Sequence, residues 1–142
     1  MRLLILIALM AQVFSHTPQE WKSRTVYQIL TDRYASDTTN TYCSNLGAYC
    51  GGNYKGIISK LDYIENMGFD AIWISPMPTN LQQDYHGYAF LDLYTPNPHF
   101  GSEADLISFV TACHKRDIWV MLDVVGEIYP SFMFLFLMDI YL

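Results

Sequence analysis

An α/β fold on a parallel sheet is what this sequence predicts, from three apolar runs that alternate with two helical stretches. The runs are residues 25–30 (TVYQIL), 71–75 (AIWIS) and 118–125 (IWVMLDVV). Between them, residues 53–68 and 102–116 carry helical periodicity, and no hairpin signal separates any two elements. Such alternation argues for parallel strands joined by right-handed crossovers. Doubly wound sheets and (β/α)8 barrels both satisfy it. Two features favour the barrel: no glycine-rich phosphate loop follows any run, and long polar-aromatic connections follow the strand C-terminal ends. A barrel of this kind takes about 250 residues. The 142 residues of this chain therefore predict an incomplete (β/α)8 TIM barrel, about three β/α units from its first part.

Each element has its own local signal. Thr25–Leu30 is rich in β-branched and aromatic residues and stops at Thr31-Asp32-Arg33. Ile57, Ile58, Leu61 and Ile64 recur at helical spacing, with Asn53 as a cap and Gly68 placed for a left-handed C′ residue. These read as one helix. Ala71–Ser75 is a strand buried on both faces, closed by Pro76 and Pro78. Pro76 to Gly101 reads as a long irregular connection with four prolines. Ser102 and Asp105 make a capping-box-like start to a second helix whose apolar stripe is Leu106, Ile107, Val110 and Cys113.

Hydrophobic residues make up 51% of the chain, so a disordered segment is excluded. The net charge of −6 and the lack of a basic patch argue against nucleic acid and anionic membrane as partners. Residues 1–15 read as a signal peptide: Met1-Arg2, an apolar stretch, then Val13 and Ser15 as small residues before His16. The expectation is a secreted, extracellular protein in which disulfides persist. Cys43 and Cys50 lie in a loop whose short spacing is compatible with a disulfide, whereas Cys113 falls on a helix stripe as a small buried hydrophobe.

The segment with most chemistry is Asp84 to Gly101 (DYHGYAFLDLYTPNPHFG). Tyr85, His86 and Tyr88 surround Gly87, which permits a tight turn. Aromatic faces suit the C–H face of a sugar ring and an imidazole suits its hydroxyls, although such a cluster equally suits plain loop packing. Asp123 lies in the third strand, where a carboxylate is either functional or a core group satisfied by backbone and Arg partners.

These residues, with GGNYKGIISKLDYIENMGFDAIWISP and FGSEADL in the same order, resemble the N-terminal part of a secreted fungal-type α-amylase. That places the likeness in the family 13 glycoside hydrolases, over Thr17 to Val125. The resemblance implies that His86 and Tyr88, with Tyr85, are substrate-binding: a hydroxyl donor and a stacking platform beside the cleaved bond. It implies that Asp123 supports the active site without attacking the sugar, and that Cys43 and Cys50 are disulfide-bonded. The substrate class is α-glucan (starch, glycogen or maltooligosaccharide), and the activity is endo-hydrolysis of α-1,4-glucosidic bonds with Ca²⁺ in a structural role. Asp32, Asp62 and Asp92 match no site residue and are expected in surface or capping positions.

The chain also departs from the pattern. Ala89 replaces a tryptophan usual in the fungal enzymes. Glu127 and Ile128 stand where the family has a calcium-binding asparagine and a substrate-contacting histidine. A carboxylate at Glu127 is a chemically possible calcium ligand, but Ile128 donates no hydrogen bond. The calcium ligands of the complete family member are otherwise not found here. Neither is the catalytic pair, since retaining hydrolysis needs two carboxyl groups about 5–5.5 Å apart. The organisation expected is a signal peptide over 1–15, the N-terminal portion of the catalytic domain over 16–126 and an out-of-family apolar tail over 127–142. The expected outcome is an α-amylase-type chain inactive as written. The alternative is a non-catalytic secreted sugar-binding or interaction protein, disfavoured by the uncovered edges of a three-stranded part-barrel. The apolar run Phe132–Met138 is far short of the roughly 20 residues of a membrane span.

Overall fold

A computed structural model describes residues 16–38, 43–127 and 133–139, with backbone alone for 125–127 and 133–139. The expected signal peptide lies outside the described residues. After a capped turn of helix, α1 (Pro18–Trp21), the chain forms β1 (Val26–Ile29) and a short α2 (Thr31–Tyr34). Two helices, α3 (Tyr54–Ile58) and α4 (Leu61–Asn66), lead into β2 (Ala71–Ile74). Then come β3 (Pro78–Asn80), β4 (Phe90–Pro96), α5 (Glu103–His114), β5 (Trp119–Glu127) and β6 (Met133–Asp139).

The main sheet has the order β1-β2-β5-β6. β1 pairs with β2 in parallel, and β2 with β5, so Ile29, Ile74 and Leu122 share one row. Because side chains alternate along a strand, Ile29, Ile72, Ile74, Val120 and Leu122 all point to one face. That face packs under Tyr54, Ile57, Leu61 and Ile64 of α3–α4 and Leu106, Phe109, Val110 and Cys113 of α5, all buried. The opposite face carries Gln28, Trp73 and Met121 in one register row, with Asp123 two residues further along β5. An arrangement with helices on one face of a parallel sheet and mixed side chains on the other is that of an incomplete barrel, whose inner face is turned away from the helices.

At the N-terminal ends of the strands, Arg24 lies between Asp70 and Asp117 and covers the Trp119 ring at 3.9 Å. At the C-terminal ends the backbone crosses itself closely. Gly52 N–H donates to Asp32 O, and Asn53 N–H to Ala35 O, at 2.8 and 2.9 Å. Asn53 caps α3 by accepting from Gly56 N–H, and Gly68, with φ of 86°, follows α4. Ser102 and Asp105 form a reciprocal capping box at the start of α5. These caps match the sequence expectations.

Four expectations need correction. The single helix over 53–68 is broken at Ser59–Lys60, where the Ser59 hydroxyl donates to Gly56 O and competes with the helical ladder. The connection 76–101 is not irregular throughout, because β3 and β4 pair antiparallel with two register shifts. Prolines 78 and 96, paired with each other at one end of that short ladder, hide it from a hairpin search. On α5, Ile107 is 43% exposed and Phe109 takes its place in the core, stacked on Tyr54. Finally, β6 pairs antiparallel with β5 from Met121↔Asp139 to Glu127↔Met133, so that edge of the sheet is covered.

Gly56 provides a test in which local and tertiary effects have opposite signs. Within a helix, Gly→Ala ordinarily stabilises by roughly 1 kcal/mol. Here a Cβ would lie 2.1 Å from the Ala35 carbonyl oxygen, which is backbone and cannot turn aside. Gly56→Ala should therefore destabilise by about 1–3 kcal/mol, read as a lowered urea midpoint. An unchanged or raised midpoint would mean that the two backbones are further apart in solution.

Candidate functional site

The C-terminal ends of the parallel strands bring three segments together: the turn after β1, the loop after β2, and the middle of β5. After β1, Asp32 is 1% exposed and accepts from the backbone N–H groups of Cys50 and Gly51. Its other neighbour is Arg33 Nε at 3.1 Å. The expectation of a surface or capping role for Asp32 is half right: it caps a turn, but from inside. Asp62 and Asp92 do sit at the surface, the first paired with Arg116, the second bonded to Tyr94 N–H and the Thr95 hydroxyl.

The loop Cys43–Cys50 is closed by a disulfide between its ends. Tyr49 in this loop donates its hydroxyl to Asp84 O at 3.1 Å, tying it to the segment that carries Tyr85, His86 and Tyr88. Gly87 adopts φ of 90°, and a Cβ there would meet Pro76 O at 2.6 Å. Only glycine lets the loop turn this tightly against the end of β2.

The three candidate side chains form a chain of rings. Tyr85 and His86 meet edge to face with centroids 5.6 Å apart, and His86 and Tyr88 stack at 5.7 Å. His86 Nδ1 accepts from Tyr88 N–H at 3.0 Å, which leaves Nε2 as the protonated nitrogen of a neutral ring. Nε2 lies 3.4 Å from Asp84 Oδ1, long for a hydrogen bond, and the His86 side chain is 38% exposed. A donor so placed is available to a ligand hydroxyl. The plain alternative for His86, a loop histidine satisfied by its neighbours, also matches these contacts, since Nδ1 accepts from Tyr88 N–H and Nε2 faces Asp84.

Tyr88 is 47% exposed, yet its hydroxyl reaches inward and donates to Asp123 Oδ2 at 2.5 Å. Burial of that end, followed by the adjacent carboxylate, raises the phenol from its usual 10 to about 12. Asp123 is 2% exposed, and its Oδ1 has no hydrogen-bond partner among the described residues. The alternative of a core carboxylate satisfied by backbone and Arg does not match these contacts. Trp73 Nε1, on the same face of the sheet, is likewise buried and unpaired among the described residues. A buried polar atom without a partner costs roughly 1–3 kcal/mol, so this face has the chemistry of one meant to be covered.

Cys113 is buried and free, with burial holding its thiol up at about 12, and takes no part in the cluster. A cavity of about 150 Å³ lies apart from the rings, lined in part by Asp37, Asn53, Lys55 and Asp105. Its polar groups already engage one another, Asn53 with Asp37 and Lys55 with Asp105. No group of three or more His, Cys, Asp or Glu among the described residues is placed to hold a metal ion. A calcium site needs six to eight oxygens, and the described residues do not fit one. The Glu127 side chain lies outside them.

Comparison with known proteins matches residues 28–127 to the α-amylase catalytic domain. Alpha-amylase 3 of Schizosaccharomyces pombe is 54% identical over 114 residues, which is 73% of this chain and 20% of that protein. The α-amylase of Saccharomycopsis fibuligera is 43% identical over 121 residues, 79% of this chain and 24% of that protein. The chain thus spans about a fifth to a quarter of the length of these curated relatives. An α-amylase structure from Malbranchea cinnamomea aligns with a TM-score of 0.73 at 47% identity, over 78% of this chain and 25% of that one. A Geobacillus thermoleovorans α-amylase complexed with acarbose aligns with a TM-score of 0.68 at 43% identity, over 72% and 23%.

The Tyr88–Asp123 contact has a measurable pH signature. Tyr88→Phe removes the donor and should cost about 1–3 kcal/mol near neutral pH, by urea denaturation. A phenol held above its unfolded value contributes stability fully below pH 10, and that share is lost as pH rises through about 12. The gap between wild type and Tyr88→Phe should therefore narrow across that window. A gap constant from pH 8 to 12 would show that the hydroxyl is not held by Asp123.

Proposed function

This chain belongs to the α-amylase catalytic-domain family, and we propose that it forms the sugar-facing N-terminal part of a hydrolase of α-1,4-glucosidic bonds. The observation that carries this reading is the ring series Tyr85–His86–Tyr88, anchored through Tyr88 to the buried Asp123. In this reading Tyr88 presents its exposed face to a glucose ring, His86 Nε2 donates to a sugar hydroxyl, and Tyr85 flanks them. Asp123 holds Tyr88 in place without touching the reacting carbon.

Residues 16–126 form the family-like part in this proposal, and 127–142 a segment outside it. The carboxyl pair of a retaining hydrolase is supplied by the share of the family's domain that this chain does not span. The structural calcium proposed for the whole domain would take its ligands from the same share, and no step here depends on it. Secretion agrees with the Cys43–Cys50 disulfide, since such bonds persist in oxidising compartments. Among the described residues no helix is long and apolar enough to cross a membrane.

A second reading is favoured by β6. A sugar-binding module without catalysis would need its sheet edge covered, and β6 covers that of β5.

Two experiments separate the readings. Residues 16–127 would replace the matching segment of the S. pombe alpha-amylase 3, and starch hydrolysis would be assayed. An active chimera is expected, with kcat/KM on the order of tenfold lower in Tyr88→Ala, about 1.4 kcal/mol of transition-state binding. A folded chimera that binds no α-glucan would overturn the proposal. The chain itself would be titrated with maltoheptaose in a calorimeter: binding without release of reducing ends supports the module reading as well, and a folded chain that binds nothing sinks that second reading.

A further inference from the structure

We propose that Arg33 is a positioning residue for the sugar-facing loop, holding the Tyr85 ring in place by clamping the disulfide loop on one side and stacking on Tyr85 on the other. The inference rests on the sugar-binding reading above for its functional consequence, but its geometry stands independently. Arg33 lies in α2, the short helix that follows β1, so its starting point is set by the parallel sheet. Its Nε faces the buried Asp32 carboxylate at 3.1 Å. One terminal nitrogen donates to Leu46 O and Ala48 O at 2.7 and 2.8 Å, and the other contacts the sulfurs of Cys43 and Cys50.

With every edge of the guanidinium engaged, its flat face lies over the Tyr85 ring, 3.7 Å from the centroid. An arginine held this way has lost its rotamer freedom to the edge contacts, so the ring gains a fixed cationic platform. Asp32 completes the arrangement from behind, locked by the Cys50 and Gly51 N–H groups. Tyr85 in turn meets His86 edge to face. Displacement of the guanidinium would therefore pass to the ring series through one contact. Lysine keeps the charge but lacks the planar fork that engages Asp32, the two carbonyls and the disulfide at once.

The test uses the full chain with Arg33→Lys, Tyr85→Leu and the double variant. Tyrosine ring resonances are followed by NMR, and maltoheptaose affinity by calorimetry. Arg33→Lys should move the Tyr85 ring resonances and weaken binding roughly three- to tenfold, the range of a cation–π contact. Tyr85→Leu should weaken binding, and the double variant should bind no more weakly than Tyr85→Leu alone. In Tyr85→Leu, which removes the half-buried ring and leaves Arg33 itself unchanged, the Arg33 Nε–H resonance should also move. Unmoved Tyr85 and Arg33 resonances, or strictly additive losses in the double variant, would overturn the assignment and leave Arg33 as a clamp of the disulfide loop only. A folded wild type that binds no maltoheptaose would instead refute the sugar-binding reading, while the resonance shifts would still decide whether Arg33 positions Tyr85.

Discussion

Strands that hydrogen-bond in parallel must be joined by a chain that returns along the whole sheet. The placement of the candidate site follows from that constraint. β1, β2 and β5 all point the same way, so the segments leaving them emerge at one end. The turn after β1, the loop after β2 and the middle of β5 are far apart in sequence and adjacent in space. The opposite end is built differently: Arg24 lies between Asp70 and Asp117 and over the buried Trp119 ring, against which His16 and Trp21 also pack. One end is stapled, and the other carries the candidate site.

At the end that carries the candidate site, loops are held by polar groups buried at or near the C-terminal ends of the strands. Asp32 takes two loop N–H groups, and Ser75 meets the Thr31 N–H and hydroxyl at about 3 Å. Asp123 takes the Tyr88 hydroxyl. Each is a short polar side chain at 1–6% exposure, placed where a loop must be fixed without a ladder of its own. Burial makes these contacts specific, because a displaced partner leaves an unsatisfied group in a low-dielectric site. Loops fixed this way provide a rigid base on which half-exposed rings can be presented to a ligand.

The inner face of the sheet shows what the family membership means physically. Helices cover the face of Ile29, Ile74 and Leu122, while Trp73 Nε1 and Asp123 Oδ1 on the other face have no partner among the described residues. In a complete barrel that face is packed by layers of side chains from the remaining strands. The β6 strand answers a different problem, since its backbone pairs with the edge of β5.

Much of this was legible in the residues themselves. Apolar runs of strand length, Asn53, Gly68 and the Ser102–Asp105 box are local signals, and local geometry honours them. His86, Tyr88 and Asp123 could be singled out because their neighbours in sequence carry a family pattern. What sequence could not supply was contact across distance. The Tyr88–Asp123 bond joins residues 35 apart, and Arg33 reaches Tyr85 across two loops. No periodicity encodes either, and "TDR" after a strand looks like an ordinary turn. The break between α3 and α4 has a local cause in the Ser59 hydroxyl. The Phe109-for-Ile107 exchange and the β3–β4 and β5–β6 pairings were also tertiary decisions, in which contacts across the chain outweighed local preferences worth only about a kcal/mol.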